Sequence, residues 1–433
     1  MALGERIRQV RQNRGLTQEQ LAGPEFSKSF ISLLERGVAK PSVDTLVILS
    51  RRLGASVDSL LGSEGHIPDQ AAMNLLALSA QAMQQRRLDL TNGLLDAARF
   101  VADSYGLEEP RREVLLQELQ LALERRDYEL TSQKIREALR QCEAARDRWR
   151  AGRALVLQGR LQLVRRELHE AVRSFEKALE AFRQAKASRD PTRTEALIFL
   201  GTTLAYLGKH DLALKRYAEA ADAQATRHDP ILRGRALWGL GLSHRRLGNL
   251  DLATQRLNEA KDAFAFIEEM PDLAGVLHNI GQVSYEQRRY DEALRHLTQA
   301  LRITERLNLK ITHAATLTEI ARTHLATSNL EDAGAIAQQA IAAAQNAPDA
   351  MEGAEARTVL ATVYAKQDRP ERAKELMAEA LATFRVHGAH ARIAQAARDL
   401  GEAFLRHGAK TDAADQLVIA FEAEDALRKS AQP

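Results

Sequence analysis

The residues with the most suggestive chemistry lie between Ser27 and Gly37. Phe30, Ile31 and Leu34 have the spacing of one apolar helix face, in a segment that Ser27 can cap and Gly37 can end. The opposite face carries small polar and basic groups with one leucine: Lys28, Ser29, Ser32, Leu33 and Arg36. Lysine donates to guanine, serine pairs with any base and leucine contacts a thymine methyl, so this stripe fits a DNA major groove. A solvated helix face would look similar, so the neighbouring elements decide between the two interpretations.

Short helices on both sides would position this stripe. Apolar spacing and capping residues predict further helices at residues 3–14, 18–22, 43–53 and 56–61. Five short helices in 62 residues, with a four-residue turn between the second and the third, is the helix-turn-helix plan. Phe30 and Ile31 are expected in its core.

The first 62 residues also resemble a known family. The segments Arg14–Ala22, Ile31–Gly37 and Pro41–Leu46 follow each other as in the Cro/CI (XRE-type) DNA-binding domain, over about residues 3–62. The resemblance implies that Lys28, Ser29 and Leu33 reach base edges. It implies phosphate contacts for Gln18, Ser27, Ser32, Arg36 and Lys40. It also implies that Glu35 pairs with an arginine of the first helix, and Arg11 is the candidate. The turn Gly23–Phe26 is one residue shorter than usual, which leaves the tilt of the recognition helix open.

Charge and composition limit the classes of protein. The chain has 433 residues, 5% aromatic, with a net charge of +3. Residues 1–62 hold nine Lys and Arg against six Asp and Glu, so the whole positive excess lies there, as suits a domain that contacts phosphates. The sequence lacks an apolar leader or an apolar run near eighteen residues, so we expect a cytoplasmic protein with no membrane partner. Cys142 is the single cysteine and is expected to be a buried small hydrophobe.

The rest of the chain repeats itself. Alanines recur forty residues apart, with one two-residue insertion, at positions 98, 138, 178, 220, 260, 300, 340, 380 and 420. Small residues recur seven and nineteen positions before the later ones, as Ala253 and Gly241 do before Ala260. Such a period indicates a solenoid. The pattern resembles the tetratricopeptide repeat, lengthened to forty residues, in nine units. The prediction is therefore an all-α protein: a helix-turn-helix domain at 1–62, a linker at 63–69, and a right-handed superhelical repeat array at 70–433.

The first helices of tetratricopeptide units line a concave groove. At the corresponding offsets this chain places Arg153, Arg160, Arg235, Trp238, Arg245, Arg246, His278, Gln282, Tyr285 and Arg322, with Asn279 where the repeat family often clamps a peptide backbone or a carboxylate. Arginine and tryptophan are typical binding anchors, which favours an anionic or peptidic ligand. The alternative is that Trp238 only packs between helices and that the arginines pair with Glu195, Glu286 and Glu319.

The combination resembles the peptide-responsive bacterial regulators of the RRNPP group. That resemblance implies a homodimer that binds a double-stranded DNA operator, expected to be an inverted repeat, and a short signalling peptide in the groove. The competing hypothesis is a non-enzymatic scaffold for a protein partner, with the small domain used for anchoring or dimerisation.

Catalysis and cofactors are not expected. Gly239–His244 has only two glycines of a dinucleotide loop and lies in a predicted helix. His387 and His390 have no acidic partner at metal-ligand spacing. The sequence thus predicts no catalytic residues, no metal and no cofactor.

Overall fold

The computed structural model describes residues 3–55, 57, 60, 66–265, 271–345 and 350–430. Within these ranges the secondary structure is α-helix, with one short 3₁₀ helix and no strand. The all-α prediction is confirmed. The chain divides into two compact units, Met1–Arg165 and Arg166–Pro433, and each is described by itself. In the ranges that the structure describes, no helix combines the length and the apolar character needed to cross a bilayer.

Among the described residues, four helices belong to the N-terminal domain of the first unit. They are α1 (Leu3–Asn13), α2 (Gln18–Ala22), α3 (Lys28–Glu35) and α4 (Val43–Leu53). Thr17 and Gln20 cap α2 reciprocally, and Ser42 caps α4. One apolar core holds these helices together, with Ile7, Leu21, Ile31, Leu34, Leu49, Leu53 and Leu60 fully buried or nearly so.

Two sequence predictions concern residues 56–69. The predicted fifth helix at 56–61 lies outside the described residues except for Val57 and Leu60, and Leu60 is buried in the core. The linker prediction at 63–69 is wrong at its C-terminal end, because a helix already begins at His66. Pro68 falls in the first turn of that helix, where its missing N–H costs nothing.

Helices of about seventeen residues fill the rest of the chain. The first unit continues with α5 (His66–Gln84), α6 (Leu88–Ser104), α7 (Glu108–Glu124), α8 (Tyr128–Ala144) and α9 (Arg148–Val164). The second unit contains α10 (Leu168–Gln184), α11 (Pro191–Tyr206), α12 (His210–Ala221), α13 (Pro230–Arg246), α14 (Leu250–Phe264), α15 (Pro271–Glu286), α16 (Tyr290–Arg306), α17 (Lys310–Ala326), α18 (Leu330–Gln345), α19 (Ala350–Lys366), α20 (Pro370–Val386), α21 (His390–Arg406) and α22 (Lys410–Ser430). In chain order these eighteen helices are the nine predicted pairs.

The repeated small residues are the points of close helix packing. All nine alanines of the forty-residue series are buried. At Gly241 on α13, an added Cβ would lie 2.6 Å from the Leu257 side chain of α14, so only glycine fits there. In the first two repeats, Ser79, Thr91 and Thr131 occupy positions where later repeats have Gly or Ala, and all three are fully buried. The predicted caps Asp190 and Asp229 accept backbone N–H bonds at the starts of α11 and α13.

The turns between helices follow a second regularity. A residue with left-handed backbone recurs about every twenty positions, two residues after a helix end. Glycine occupies some of these positions, such as Gly248 with φ of +79°. Others carry a side chain: Arg86, Arg126, Arg146, Arg166, Lys186, Arg288, Asn308, Ser328 and Asp368. Since non-glycine residues avoid this conformation, helix packing on either side must hold these turns in place.

Candidate nucleic-acid interface and ligand site

The recognition helix α3 is capped as the sequence predicts. The hydroxyl oxygen of Ser27 accepts the Phe30 backbone N–H at 3.1 Å. Lys28 and Ser29 are exposed in the first turn, and Leu33 is 36% exposed one turn later. Ser32 is half-buried. The stripe predicted to read bases is therefore on the solvent side of the helix.

The buried side of α3 differs from the prediction at one residue. Ile31 is fully buried, as expected. Phe30 is only half-buried and stacks on Phe26 of the preceding turn, with ring centroids 5.4 Å apart. The prediction of Phe30 as a core residue is thus wrong in part, because the short turn brings a second aromatic ring to the edge of the core.

Arg11 and Glu35 form the predicted ion pair between α1 and α3. The Nε atom of Arg11 lies 2.6 Å from Oε1 of Glu35, and Nη2 lies 3.1 Å from Oε2. Both residues are buried. Burial alone would raise the pKa of Glu35, but the hydrogen bonds from Arg11 and Gln18 and the positive charge of Arg11 hold it below its usual value. The pair fixes α3 against α1.

Gln18 and Arg36, two predicted phosphate contacts, already make hydrogen bonds within the domain. The Gln18 amide donates to Oε2 of Glu35 at 2.8 Å, so its side chain is turned toward the ion pair. Arg36 donates to the Ser32 carbonyl at 3.2 Å and remains exposed. Lys40 is exposed. Lys28 and Lys40 take part in no ion pair with any residue that the structure describes.

Arg52 of α4 closes the shortened turn and was missed by the sequence reasoning. Its guanidinium donates to the Leu21 carbonyl at 3.1 Å and also to the Ala22 carbonyl at the end of α2. It pairs with Glu25 and lies over the Phe26 ring at 5.9 Å. A side chain from outside the motif thus replaces the missing residue of the turn. Its distance in the sequence from the turn hid this role.

Gly4 is a second position that the sequence reasoning missed. It is buried where α1 passes the C-terminal end of α3, and an added Cβ would collide with the Leu34 carbonyl oxygen. Only glycine permits this approach, which brings Arg11 within reach of Glu35. Nothing in the local spacing distinguishes Gly4 from an ordinary helix glycine.

The first unit contains two of the predicted ligand-binding arginines, on α9. Arg153 makes a bidentate bond to Glu113 of α7, at 2.6 and 2.8 Å, and its guanidinium lies 4.9 Å from the Trp149 ring centroid. Arg160 donates to Glu124 at 2.9 Å. Both contacts join first helices of adjacent repeats.

In the second unit, the predicted tryptophan and asparagine contact each other. The indole N–H of Trp238 on α13 donates to Oδ1 of Asn279 on α15 at 2.7 Å. The ring lies against Gly275, where an added Cβ would be 2.5 Å from it. The Asn279 amide donates in turn to Gln282 at 3.2 Å. Trp238 is half-buried, so it packs between helices, as the alternative interpretation holds, while one part of it remains accessible.

The neighbouring arginines are also paired. Arg235 donates to Asp272 at 2.7 Å, and Arg245 donates to Glu286 at 2.7 Å and to Gln282. Each bond joins α13 to α15. The carboxylate pairing predicted as the alternative is therefore present at Arg245.

A second set of polar side-chain contacts joins α15, α17 and α19. Gln282 donates to Glu319 at 3.1 Å, and Arg322 lies 3.2 Å from Glu319 and 3.1 Å from Glu355 of α19. His278 contacts the Thr316 hydroxyl at 3.2 Å. Burial would raise the pKa of Glu319, but Arg322, His278 and Gln282 keep it below its usual value. The proximity of Glu319 raises the pKa of Arg322. Burial lowers the pKa of His278.

The first helices α13, α15, α17 and α19 are thus joined by one chain of side-chain hydrogen bonds. Trp238, Asn279, Gln282 and Arg322 belong to it, and Arg245 extends it through Gln282. Arg235 makes a separate bond between α13 and α15. Such an arrangement can exchange partners with a ligand that offers both donors and acceptors, as a peptide backbone does.

The structure also places the residues that the sequence analysis considered for other chemistry. Residues 239–244 lie inside α13, without a preceding strand. Among the residues described, no group of His, Cys, Asp and Glu could hold a metal ion. Cys142 is buried, and burial raises its pKa to about 11, so it remains a neutral thiol.

Comparison with protein families identifies both parts of the chain. A helix-turn-helix domain model matches residues 2–61, and tetratricopeptide repeat models match residues 232–306, 312–385 and 358–426. The chain therefore contains the predicted helix-turn-helix domain and tetratricopeptide repeats.

Individual relatives match one part or the other. The HTH-type transcriptional regulator DdrOP3 of Deinococcus deserti is 41% identical over 73 residues, which are 17% of this chain. The match spans 57% of that protein, so this chain covers little more than half the length of that relative.

Two solved structures share the fold of the longer part. The apo form of RapI has a TM-score of 0.67 at 13% identity, over 83% of this chain and 98% of that one. A Rap conjugation gene regulator in complex with a peptide has a TM-score of 0.53 at 14% identity, over 83% and 97%.

Proposed function

We propose that this chain, a helix-turn-helix domain joined to tetratricopeptide repeats, is a sequence-specific DNA-binding transcription regulator. Its repeat array senses a short signalling peptide, and a homodimer of the chain binds an inverted-repeat operator. The observation that carries the proposal is the placement of α3. Its buried side is anchored to α1 through Arg11 and Glu35, and its free side presents Lys28, Ser29 and Leu33 to solvent.

The dimensions and the chemistry of α3 support the DNA part. Eight residues span about 12 Å, comparable with the width of the major groove. Lys28 and Ser29 stand in the first turn, the end of a recognition helix that contacts base edges. Arg36 and Lys40 follow at the other end, where exposed cations can contact phosphates. Gln18 can reach a phosphate only if it leaves Glu35, so we assign it a weaker contribution.

The chain of hydrogen bonds on the first helices supports the ligand part. Trp238, Asn279, Gln282 and Arg322 join successive repeats through single side-chain contacts. A peptide that replaces one of these contacts changes how two first helices are held together. Arg153 and Arg160 make equivalent contacts in the first unit and are proposed to act in the same way. The fold shared with a Rap protein that was solved with a peptide favours this class of ligand.

A dimer follows from the recognition mode. Two recognition helices that read one face of DNA must lie about 34 Å apart, or a multiple of that distance. A ligand that alters the contacts between repeats would alter this separation and hence operator affinity. We propose no catalytic step and no cofactor.

The test is selection of bound sequences from a random DNA pool by the full-length protein, at about 0.15 M salt. We expect an inverted repeat with half-sites one or two helical turns apart. A variant with Lys28, Ser29 and Leu33 all changed to Ala should lose the enrichment, whereas a variant with Lys209, an exposed lysine of the repeat array, changed to Ala should retain it. Absence of enrichment with the wild-type protein would reject the regulator.

One observation favours a second function, a scaffold for a protein partner. The last helix, α22, exposes Val418 and Phe421, which are 56% and 68% accessible and lie on one face. Failure of the DNA selection, together with loss of a defined assembly when Phe421 is changed to Ser, would support this scaffold instead.

A further inference from the structure

A cavity of about 200 Å³ lies in the second unit, between the first helices α15, α17, α19 and α21. Its volume corresponds to about seven water molecules, roughly one amino-acid residue. Leu325, Val359 and Ala403 supply apolar wall, and Ala326 leaves the space that a larger side chain would fill. The cavity is next to the Glu319 and Arg322 pair but was not indicated by any sequence motif.

Lys366 brings a positive charge to this cavity without a carboxylate. Its Nζ donates to the Leu325 carbonyl at 3.4 Å, and no carboxylate among the described residues lies within ion-pair distance. Other half-buried cations of the unit are matched. Arg245 pairs with Glu286, and Lys374 pairs with Asp412 at 3.2 Å. A half-buried ammonium group loses hydration, and an anion would restore the lost stabilisation.

The other charged side chains at the cavity each have a partner within the second unit. Arg322 is held by Glu319 and Glu355. Arg406 lies 3.6 Å from Glu402 at the mouth. Asp399 accepts a bond from Gln395 at 2.8 Å and lies two helical turns before Arg406 along α21. Lys366 is therefore the cation at the cavity that has no carboxylate partner among the described residues, whereas Asp399 is held by a neutral amide and burial raises its pKa, which disfavours its charged form.

The surroundings of Lys366 disfavour its positive charge. Burial lowers the pKa of Lys366, and the nearby Arg406 lowers it further. A bound anion would act in the opposite direction. The hydroxyls of Thr358 and Thr362, which also line the cavity, donate to carbonyls of their own helix.

We propose that this cavity binds the C-terminal residue of the ligand, with its carboxylate on Lys366 and an apolar side chain against Leu325 and Val359. The inference rests on the proposed function, because it assigns one end of the peptide that the array senses. It predicts a ligand with a free carboxyl terminus and a small or medium apolar last residue.

The experiment uses the immobilised full-length protein and two pools of random heptapeptides, identical except that one ends in a carboxylic acid and the other in a carboxamide. We expect the acid pool to be retained at least tenfold better, with Ala, Val or Leu enriched at the last position. This is the effect of losing a hydrogen bond to a charged group. Lys366→Met should remove the preference, and Lys410→Met, a change at an exposed lysine on α22, should leave it intact.

A second variant and a competitor make the test independent of the folding of one mutant. Ala326→Phe fills the cavity and should abolish the preference for apolar last residues while Lys366 is still present. Millimolar N-acetyl-leucine offers one carboxylate and one apolar side chain without the rest of a peptide. Competition with the acid pool would show that these two groups are sufficient for binding, and absence of competition would show that a longer peptide is required.

The outcomes separate the two proposals. Equal retention of acid and amide pools by the wild-type protein would reject the carboxylate site and leave peptide sensing intact. Retention of neither pool would reject peptide sensing itself, together with this site. An acid preference that survives both Lys366→Met and Ala326→Phe would place the carboxylate elsewhere.

Discussion

Arg11 and Glu35 meet across the interior of the helix-turn-helix domain, with Nε of the arginine 2.6 Å from the carboxylate oxygen. The contact joins the first helix to the end of the recognition helix. Gln18 donates to the same carboxylate, so three elements depend on a single acidic side chain.

We predict that Glu35→Ala destabilises residues 3–55 by about 3–5 kcal/mol, because it leaves Arg11 buried without its counter-charge. Hydrogen exchange of the full-length protein, followed over peptides from this region, measures the loss. Glu19→Ala, at an exposed position on α2, should cost less than about 1 kcal/mol. Equal exchange in the two variants would mean that the ion pair does not stabilise the domain.

The same pair predicts a dependence on pH. The pKa of Glu35 is lower in the folded protein than its ordinary value of 4.5. The stabilisation is therefore complete above the unfolded-state pKa and is lost as pH falls through the folded-state pKa. Protection of residues 3–55 should decline in acid, and Glu35→Gln should reduce that decline. An unchanged acid slope in the variant would assign the decline to other carboxylates.

Lys28 and Lys40 should behave differently in DNA binding. Lys28 stands in the first turn of α3, so Lys28→Ala should relax sequence preference at one base pair, at a cost of about 1–3 kcal/mol for the preferred base. Lys40→Ala should weaken binding to all sequences about equally and lower the salt slope by about one. Titration of matched and mismatched operators at several salt concentrations distinguishes the two effects. If both variants bind like the wild type, α3 is not the recognition helix.

The sequence was informative where the signal is periodic. The forty-residue spacing of Ala260, Ala300 and Ala340 predicts the nine helix pairs, because close packing requires a small residue at a fixed place in each repeat. The resemblance to a known domain supplied the pairing of Arg11 with Glu35. Both inferences depend only on how many residues separate the positions in the sequence.

The sequence was uninformative where a side chain reaches across the fold. Nothing local marks Arg52 as the group that closes the turn, or Lys366 as a lysine without a carboxylate. Trp238 and Asn279 were each proposed as ligand anchors, but their mutual hydrogen bond depends on the rotamers of two residues 41 positions apart. Such contacts are set by packing, which spacing alone does not encode.

Two glycines of the second unit should respond in opposite ways to alanine. At Gly275 the added methyl would lie 2.5 Å from the Trp238 ring, so Gly275→Ala should destabilise the α13 and α15 region by about 1–3 kcal/mol and shift tryptophan emission. At Gly334 the added methyl would meet Val363 at 3.5 Å, an ordinary contact, and helix propensity should make Gly334→Ala stabilising by about 1 kcal/mol. Local hydrogen exchange and fluorescence report both. Stabilisation by Gly275→Ala would show that the ring can move away freely.

Replacement of arginine by glycine should have opposite effects on stability in a turn and in a helix of the first unit. Arg126 lies two residues after the end of α7 in the left-handed region, with φ of +60°, whereas Arg136 lies inside α8, and both are exposed. Arg126→Gly removes the steric cost of a side chain in that conformation, which exceeds the added entropy of the unfolded chain, so we expect about 0.5–1 kcal/mol of stabilisation. Arg136→Gly should destabilise by about 1 kcal/mol, because glycine is a poor helix former. Hydrogen exchange over residues 108–144 measures both changes, and destabilisation by Arg126→Gly would show that the arginine side chain contributes more than its backbone conformation costs.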